Sequence, residues 1–345
     1  MRPWRSPRIT APVNAPHLPA SGAAHRRQRL AGRGTAVAVA VTALGSAAAR
    51  RTPRAARRSP GTEPRGEARS SDVTLEVVEV FGCGLGTLSL KDLEPGELVL
   101  AERPVLRFDA SDAALRRAER RLAQLPRAQR DAVLELEDSV SFGPKTFRGI
   151  LETNGMDCEG PVSSESDPKA LFLRLSRLNH SCNANCDYSW RQDIMEIYAQ
   201  RKIIAGEELC IPYIDLREPR QVRRQMLKEN WCFRCECEVC SAWTVASDAR
   251  RVRLGELSAM MYRARAPERL VRIARKLLRL YKEECINAQS YRKEACKFGY
   301  EASLRLEDVD LAPRFARLGL QSSLICHGPA HEETQEWLEI SSLWS

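Results

Sequence analysis

Three cysteines within six residues, Cys235-Glu236-Cys237-Glu238-Val239-Cys240, constrain the fold of this chain more than any other feature. Small secreted proteins use clustered cysteines as disulfide frameworks, but this chain has 345 residues and shows no ordinary secretory leader. Thiols at such spacing then read as zinc ligands, and a structural zinc takes four. Cys-x-Cys-x-x-Cys is one short, so the fold must return a distant segment to this loop. Seven of the twelve cysteines lie between Cys182 and Cys240, leaving Cys182, Cys186, Cys210 and Cys232 as candidates. On proximity in sequence alone, Cys232 is a fair choice.

Charge narrows the function classes. Lys and Arg number 54 against 45 acidic residues, a net +9 that would ordinarily suggest an anionic partner. Twelve arginines and no acidic residue fall in residues 1–62, so the remainder carries 42 basic and 45 acidic groups, or −3. A polyanion-binding main domain is disfavoured, and any nucleic-acid contact is expected through the basic tail alone. Residues 1–72 are rich in Arg, Ala and Pro and have too little apolar surface to order themselves. They read as a disordered arm, an organelle-targeting segment or an artefact of a misplaced start codon. The apolar run from Ala36 to Leu44 is nine residues long, far short of the ~20 needed to span a bilayer.

Beyond the tail, β-branched Val73 to Val80 predicts a strand, and Glu97 to Leu100 predicts another after the turn Leu93-Glu94-Pro95-Gly96. Asp112 to Asp138 is charged and periodic, with Pro126 dividing two short helices. Pro161 to Pro168 reads as a loop. Short strand-like runs return at Ile194 to Tyr198 and Leu209 to Tyr213. After Cys240 the spacing of Leu270, Ile273, Ala274, Leu277, Leu278 and Tyr281 is helical, and further helices are expected over 288–306 and 311–326.

Four segments could carry chemistry. Gly82-Cys83-Gly84 can take positive φ and let backbone groups approach a ligand, although a lone Gly-x-Gly is most often a tight turn. It lacks the third glycine and following helix of a dinucleotide site. Asn179-His180-Ser181 would be a poor hydrolytic triad, because adjacent residues cannot easily bring an imidazole onto the neighbouring hydroxyl while also meeting an acid. Gly206-Glu207-Glu208-Leu209 precedes Tyr213, and the cysteine loop closes the series.

Together and in order, GxG at 82–84, NHSC at 179–182, GEELxxxY at 206–213 and CxCxxC at 235–240 resemble the SET-domain protein lysine methyltransferases. The resemblance covers residues 73–241, and Trp231-Cys232-Phe233-Arg234-Cys235 is most similar to the SET-and-MYND branch. It implies an α+β chain, mainly a β SET fold with a pseudoknot and a zinc-bound post-SET loop, followed by an α-helical C-terminal region that resembles a tetratricopeptide array. The implied organisation is a tail at 1–72, a SET domain at 73–215 with a helical insert at 110–150, a post-SET segment at 216–242 and a helical region at 243–345.

The same resemblance assigns residues. Gly82, Cys83, Gly84, Asn154, Asn179, His180, Tyr213 and Phe233 would bind S-adenosyl-L-methionine, and Tyr213 would be catalytic. Cys182 would join Cys235, Cys237 and Cys240 on a structural zinc. Asn154 precedes the NHSC segment by 25 residues, and Met156 stands where that motif usually carries phenylalanine, so the number of methyl groups added is left open. Ala184 replaces the usual proline of NHSCxPN. The 53 residues between Leu100 and Asn154 hold no cysteine, so the chain is expected to lack a MYND zinc module. The implied activity is methyl transfer to a lysine of a histone or non-histone protein, in the nucleus or cytoplasm, or in an organelle if the tail is a transit peptide. The rival expectation is a catalytically silent SET-fold scaffold that binds a protein partner.

Overall fold

A computed structural model describes residues 75–109, 111–141, 143–158 and 168–344. The tail expected over residues 1–72, and nearly all of the loop expected at 161–168, lie outside them. The first strands pair as a hairpin, β1 (Leu75–Val80) against β2 (Gly84–Ser89), with Val80 opposite Gly84. Gly82 and Gly84 take φ of 73° and 75°. A Cβ at either would meet open space, so it is the left-handed backbone of the turn that calls for glycine there. Gly86 is different: a Cβ would lie 2.5 Å from a Glu208 carboxylate oxygen and 2.9 Å from the Asn179 amide, so its bare backbone lets β2 approach both.

A central sheet orders β3 (Leu98–Glu102), β9 (Ile194–Ala199) and β8 (Cys186–Arg191), all antiparallel. A second sheet orders β4 (Leu106–Phe108), β6 (Lys169–Leu171) and β5 (Met156–Asp157). The insert contains α1 (Asp112–Gln124) and α2 (Arg127–Leu134), divided at Pro126 as expected, and a third helix, α3 (Phe147–Asn154). Ser111 and Thr146 cap α1 and α3 by accepting the amides of Ala114 and Gly149. Gly149 makes room for Asp138, whose carboxylate takes the amides of Val140, Ser141 and Thr146 and is thereby held down to about 2.

The smallest pairing matters most. β10 (Cys210–Ile211) lies parallel to β7 (Asn179–His180), two residues against two, so the chain after β9 crosses the threaded NHSC segment. Six amphipathic or short helices follow: α4 (Arg220–Trp231), α5 (Glu238–Ser241), α6 (Val245–Arg263), α7 (Pro267–Glu283), α8 (Gln289–Arg305) and α9 (Leu311–His327), before α10 (Glu332–Ser342) ends the described chain. From α7 onward each helix packs on its predecessor. α7 buries Leu270, Val271, Ile273, Ala274, Leu277, Leu280 and Tyr281, the face that the periodicity marks out except for half-buried Leu278. Among the described residues no helix is long and apolar enough to cross a membrane.

Three apolar cores result. One fills the insert, one lies under the central sheet, and one joins α4 and the cysteine loop to the C-terminal helices. Tyr213 packs against the edges of the last two, at their seam.

Candidate functional site

Tyr213 is fixed from two sides by the threaded segment. Its hydroxyl donates to the Leu178 carbonyl at 2.7 Å, and its amide donates to His180 Nδ1 at 3.0 Å. Pro212 has no N–H and ends the β10 pairing, so the Tyr213 amide has left the ladder and is taken by a side chain instead. Burial, with the Cys210 thiol and Glu208 carboxyl nearby, pushes the phenol well above its ordinary range. It remains a neutral O–H near pH 7 and is no general base.

The threaded segment is itself held by side chains. Asn179 Nδ2 donates to Glu208 Oε1 at 2.8 Å and to the Leu85 carbonyl at 3.3 Å, joining the glycine-loop strand to the GEEL turn. Asn185 Nδ2 donates to Glu207 and to the Glu208 carbonyl, both at 2.8 Å, and its oxygen accepts the Cys210 amide at 2.8 Å. Upstream, the Glu102 carboxylate accepts the amides of Leu173, Arg174 and Leu175 at 2.9 to 3.1 Å. This fixes the 3-10 turn Leu175–Arg177 from which the segment leaves.

Around Tyr213 opens a cleft whose walls include Met156, Leu178, Tyr188, Ile211, Pro212 and Trp231. The Trp231 ring lies 5.1 Å from the Tyr213 ring, and its Nε1 donates to the Thr153 carbonyl at 3.0 Å. That bond ties the end of α4 to the end of α3 across the cleft. Thr153, Asn154, Gly155 and Asp157 form the insert side.

The expected cofactor residues divide. Asn154 and Tyr213 line the cleft; Gly82, Cys83, Gly84, Asn179, His180 and Phe233 do not. Both donors of the Asn154 amide are spent on the carbonyls of Glu137 and Ile150, at 2.7 and 2.8 Å, leaving Oδ1. The Asn179 and His180 side chains are likewise occupied within the protein, and their backbones pair with Cys210 and Ile211. His180 stacks obliquely near Tyr213 and Phe233, with ring centres 5.4 and 6.4 Å away.

The cysteine loop does meet a fourth cysteine, and it is Cys182. The Sγ atoms of Cys182, Cys235, Cys237 and Cys240 all lie within 4.8 Å of one another, with Cys182 3.9 Å from Cys235 and 3.7 Å from Cys240. A Zn–S bond of about 2.3 Å places tetrahedral sulfurs about 3.8 Å apart, so the four thiols fit zinc. Cys186, Cys210 and Cys232 stand outside the group. Hydrogen bonds from the other three thiols hold Cys182 above the ordinary thiol range, while those with Cys182 and Cys235 pull Cys240 below it.

Two contacts of the cluster escape sequence reasoning. His180 Nε2 faces Cys182 Sγ at 3.4 Å. Arg223, on α4 and only 1% exposed, directs Nε to Cys182 Sγ at 3.2 Å and Nη2 to Cys240 Sγ at 3.8 Å. A second group of candidate ligands, His327, His331 and Glu333, lies about the ammonium of Lys293, which bonds to both His327 and Glu333. That lysine supplies the cation itself.

Comparison with known proteins gives the same outline. Residues 84–214 match the SET domain family. Histone-lysine N-methyltransferase set5 of Schizosaccharomyces pombe is 30% identical over 168 residues, 48% of this chain and 50% of that protein. Human N-lysine methyltransferase SMYD2 is 31% identical over 137 residues, 38% of this chain and 30% of that protein. Mouse histone-lysine N-methyltransferase SMYD3 is 40% identical over 70 residues, 20% of this chain and 16% of that protein. The chain thus spans half the length of the first of these relatives and less of the other two.

Proposed function

With a SET domain over residues 84–214, we propose that this chain is a protein-lysine N-methyltransferase that uses S-adenosyl-L-methionine and holds a structural zinc on Cys182, Cys235, Cys237 and Cys240. The observation that carries the proposal is the placement of Tyr213 in an aromatic-lined cleft, pinned at its hydroxyl by Leu178 and at its amide by His180.

The bound cofactor would supply a sulfonium-activated methyl group. The protein's part is to present a neutral amine. Met156, Leu178, Ile211, Pro212 and Trp231 give the cleft apolar walls, and an entering lysine ammonium loses hydration there, which lowers its pKa and favours release of its proton to water. Aromatic faces of Tyr213 and Trp231 suit the cation before that proton leaves. Because the Tyr213 hydroxyl donates to Leu178, its lone pairs and the remaining carbonyl lone pair are available to the amine and to weak CH···O contacts. The four-thiolate zinc has no open position, so its role is to hold the post-SET loop and the Trp231 wall in place. The successive packing of α6 to α10 supports a tetratricopeptide-like reading of the C-terminal helices.

The test is methyl transfer from labelled cofactor to a peptide or protein lysine by the wild type and by Tyr213→Phe. A loss of at least about 100-fold in kcat, with the variant folded, is expected for a group that orients the amine. Unchanged transfer would remove Tyr213 from the role, and no transfer by the zinc-loaded wild type to any protein in a cell extract would remove the function.

A further inference from the structure

Between β10 and α4 the chain runs through Tyr213, Ile214, Asp215, Leu216 and Arg217 without joining a sheet or a helix. Ile214 and Leu216 are nonetheless buried, at 0% and 1% exposure. Buried backbone with no ladder must find its hydrogen bonds elsewhere, and here they come from the C-terminal helices. The Tyr291 hydroxyl on α8 accepts the Leu216 amide at 3.3 Å and donates to Asp215 Oδ1 at 3.1 Å, so one oxygen holds the segment twice. Arg251 on α6 donates to the Leu216 carbonyl. Arg217 donates to both carboxylate oxygens of Asp215 and, through Nη1, to Ser258 Oγ on α6 at 3.0 Å, with its guanidinium 4.5 Å from the centre of the Tyr291 ring.

We propose that Tyr291 is a positioning residue for Tyr213: from α8, with Ser258 and Arg251 on α6, it holds the stretch that follows the tyrosine, as Leu178 and His180 hold the tyrosine itself. Ile211 belongs to the core under the central sheet, whereas Ile214 and Leu216 belong to the core of the C-terminal helices, so the backbone changes core at Tyr213. Asp215 is two residues beyond Tyr213 with only buried Ile214 between them, which leaves the intervening backbone little slack. A shift of Asp215 and Leu216 therefore reaches the Tyr213 amide and hydroxyl, each of which makes one bond to the threaded segment. The C-terminal helices thus complete the site rather than flank it. The consequence for turnover rests on the methyltransferase proposal; the positioning itself does not, and it can be observed in protein that turns over nothing.

The experiment compares the full-length wild type with Tyr291→Phe, which keeps the ring against Arg217 and Tyr281 and removes only the hydroxyl. Tyr300→Phe, on the same helix but with its hydroxyl toward Trp344, is the control. Nitrogen labelling of the seven tyrosines lets hydrogen exchange at the Tyr213 amide be followed by NMR, its signal identified by its loss in Tyr213→Phe. In Tyr291→Phe that exchange is expected to quicken about ten-fold, the effect of one lost hydrogen bond on local opening, and to stay at the wild-type rate in Tyr300→Phe. The kcat is expected to fall about ten-fold with KM for the peptide unchanged, since a misplacement of about 1 Å can cost about 100-fold. Wild-type exchange at Tyr213 in the folded variant overturns the proposal. Equal quickening in Tyr300→Phe, or an unchanged kcat where exchange has quickened, overturns it too. If Tyr291→Phe does not fold, Ser258→Ala releases Arg217 from α6 and is read in the same way, and a Tyr213 amide indifferent to it overturns the proposal. Quickened exchange in the variant of a wild type that methylates nothing keeps the positioning and refutes the function.

Discussion

Arg223→Met should loosen the proposed zinc by a predictable amount. Zinc with four thiolates carries a net charge of −2, and it would sit against residues that are buried or nearly so. Arg223 places two donors on the sulfurs of Cys182 and Cys240 and a third on the Glu218 carbonyl. A unit charge about 4 Å from another at an effective dielectric of about 20 is worth about 4 kcal/mol. Withdrawing a guanidinium from water costs several kcal/mol, so most of that attraction is offset and a net of about 1 to 3 kcal/mol remains. Loss of a partner to a metal ligand typically costs 10- to 100-fold in affinity, about 1.4 to 2.8 kcal/mol, which agrees. Methionine matches the length of the arginine stem and fills the apolar part of the site, so the loss should appear in metal binding more than in packing. The assay is competition with a chromophoric chelator at fixed pH, beside Arg223→Lys, which keeps the charge but not the planar fork and should recover part of the affinity. A folded Arg223→Met protein with wild-type zinc affinity would refute the charge-balance reasoning.

Two further outcomes follow from side chains remote from the cleft. Glu102→Gln replaces a carboxylate that accepts three consecutive amides with a group that presents N–H to some of them, so a loss of about 1 to 2 kcal/mol in urea unfolding is expected, and a loss below about 0.5 would contradict it. His327 lies among Ser189, Lys293, His331 and Glu333, and burial first, then Lys293, hold its imidazole down to about 4. Below about 6.5 the unfolded chain takes up a proton that the folded one refuses, so stability falls as pH drops toward 4, by about 1.4 kcal/mol per unit. Asp187, raised by burial to about 6, acts in the opposite direction from 6 to 4, because there the folded chain holds the extra proton. Removing the imidazole in His327→Gln should therefore flatten the fall in urea midpoint between pH 6.5 and 4, and an unchanged slope would count against the assignment.

How far the sequence discloses this molecule depends on the range of each interaction. Helices α8 and α9 appear within a residue of where the pattern puts them and α7 within three, and Pro126 divides α1 from α2, whereas α3 is not marked out by that periodicity. Leu209 to Tyr213 reads as a strand, yet only Cys210 and Ile211 pair, because Pro212 cannot donate. α4 gives no such signal: it is rich in Arg and Gln, and a helix that turns an arginine inward looks amphipathic the wrong way round. Arg223 is buried because cysteine sulfurs lie on the other side of it, and those come from segments 17 and 41 residues away. Three of the four proposed zinc ligands are legible as a motif. The fourth is legible only through a family resemblance, because it depends on threading that no local pattern encodes.

The threading also explains why the candidate site concentrates its side-chain bonds where the sheet is smallest. A parallel pair of two residues on two supplies little backbone energy and cannot fix a register by itself. Here the register is set from outside, by Asn179 on Glu208, Asn185 on the Cys210 amide, Tyr213 on Leu178 and His180, and Cys182 on the post-SET loop. Each is long in sequence, so none can form before the chain has crossed itself, and each loses its partner if the crossing slips by one residue. A substitution at Asn179, Asn185 or Cys182 should therefore displace Tyr213 without touching it, which makes the position of the proposed catalytic hydroxyl a property of the whole crossing.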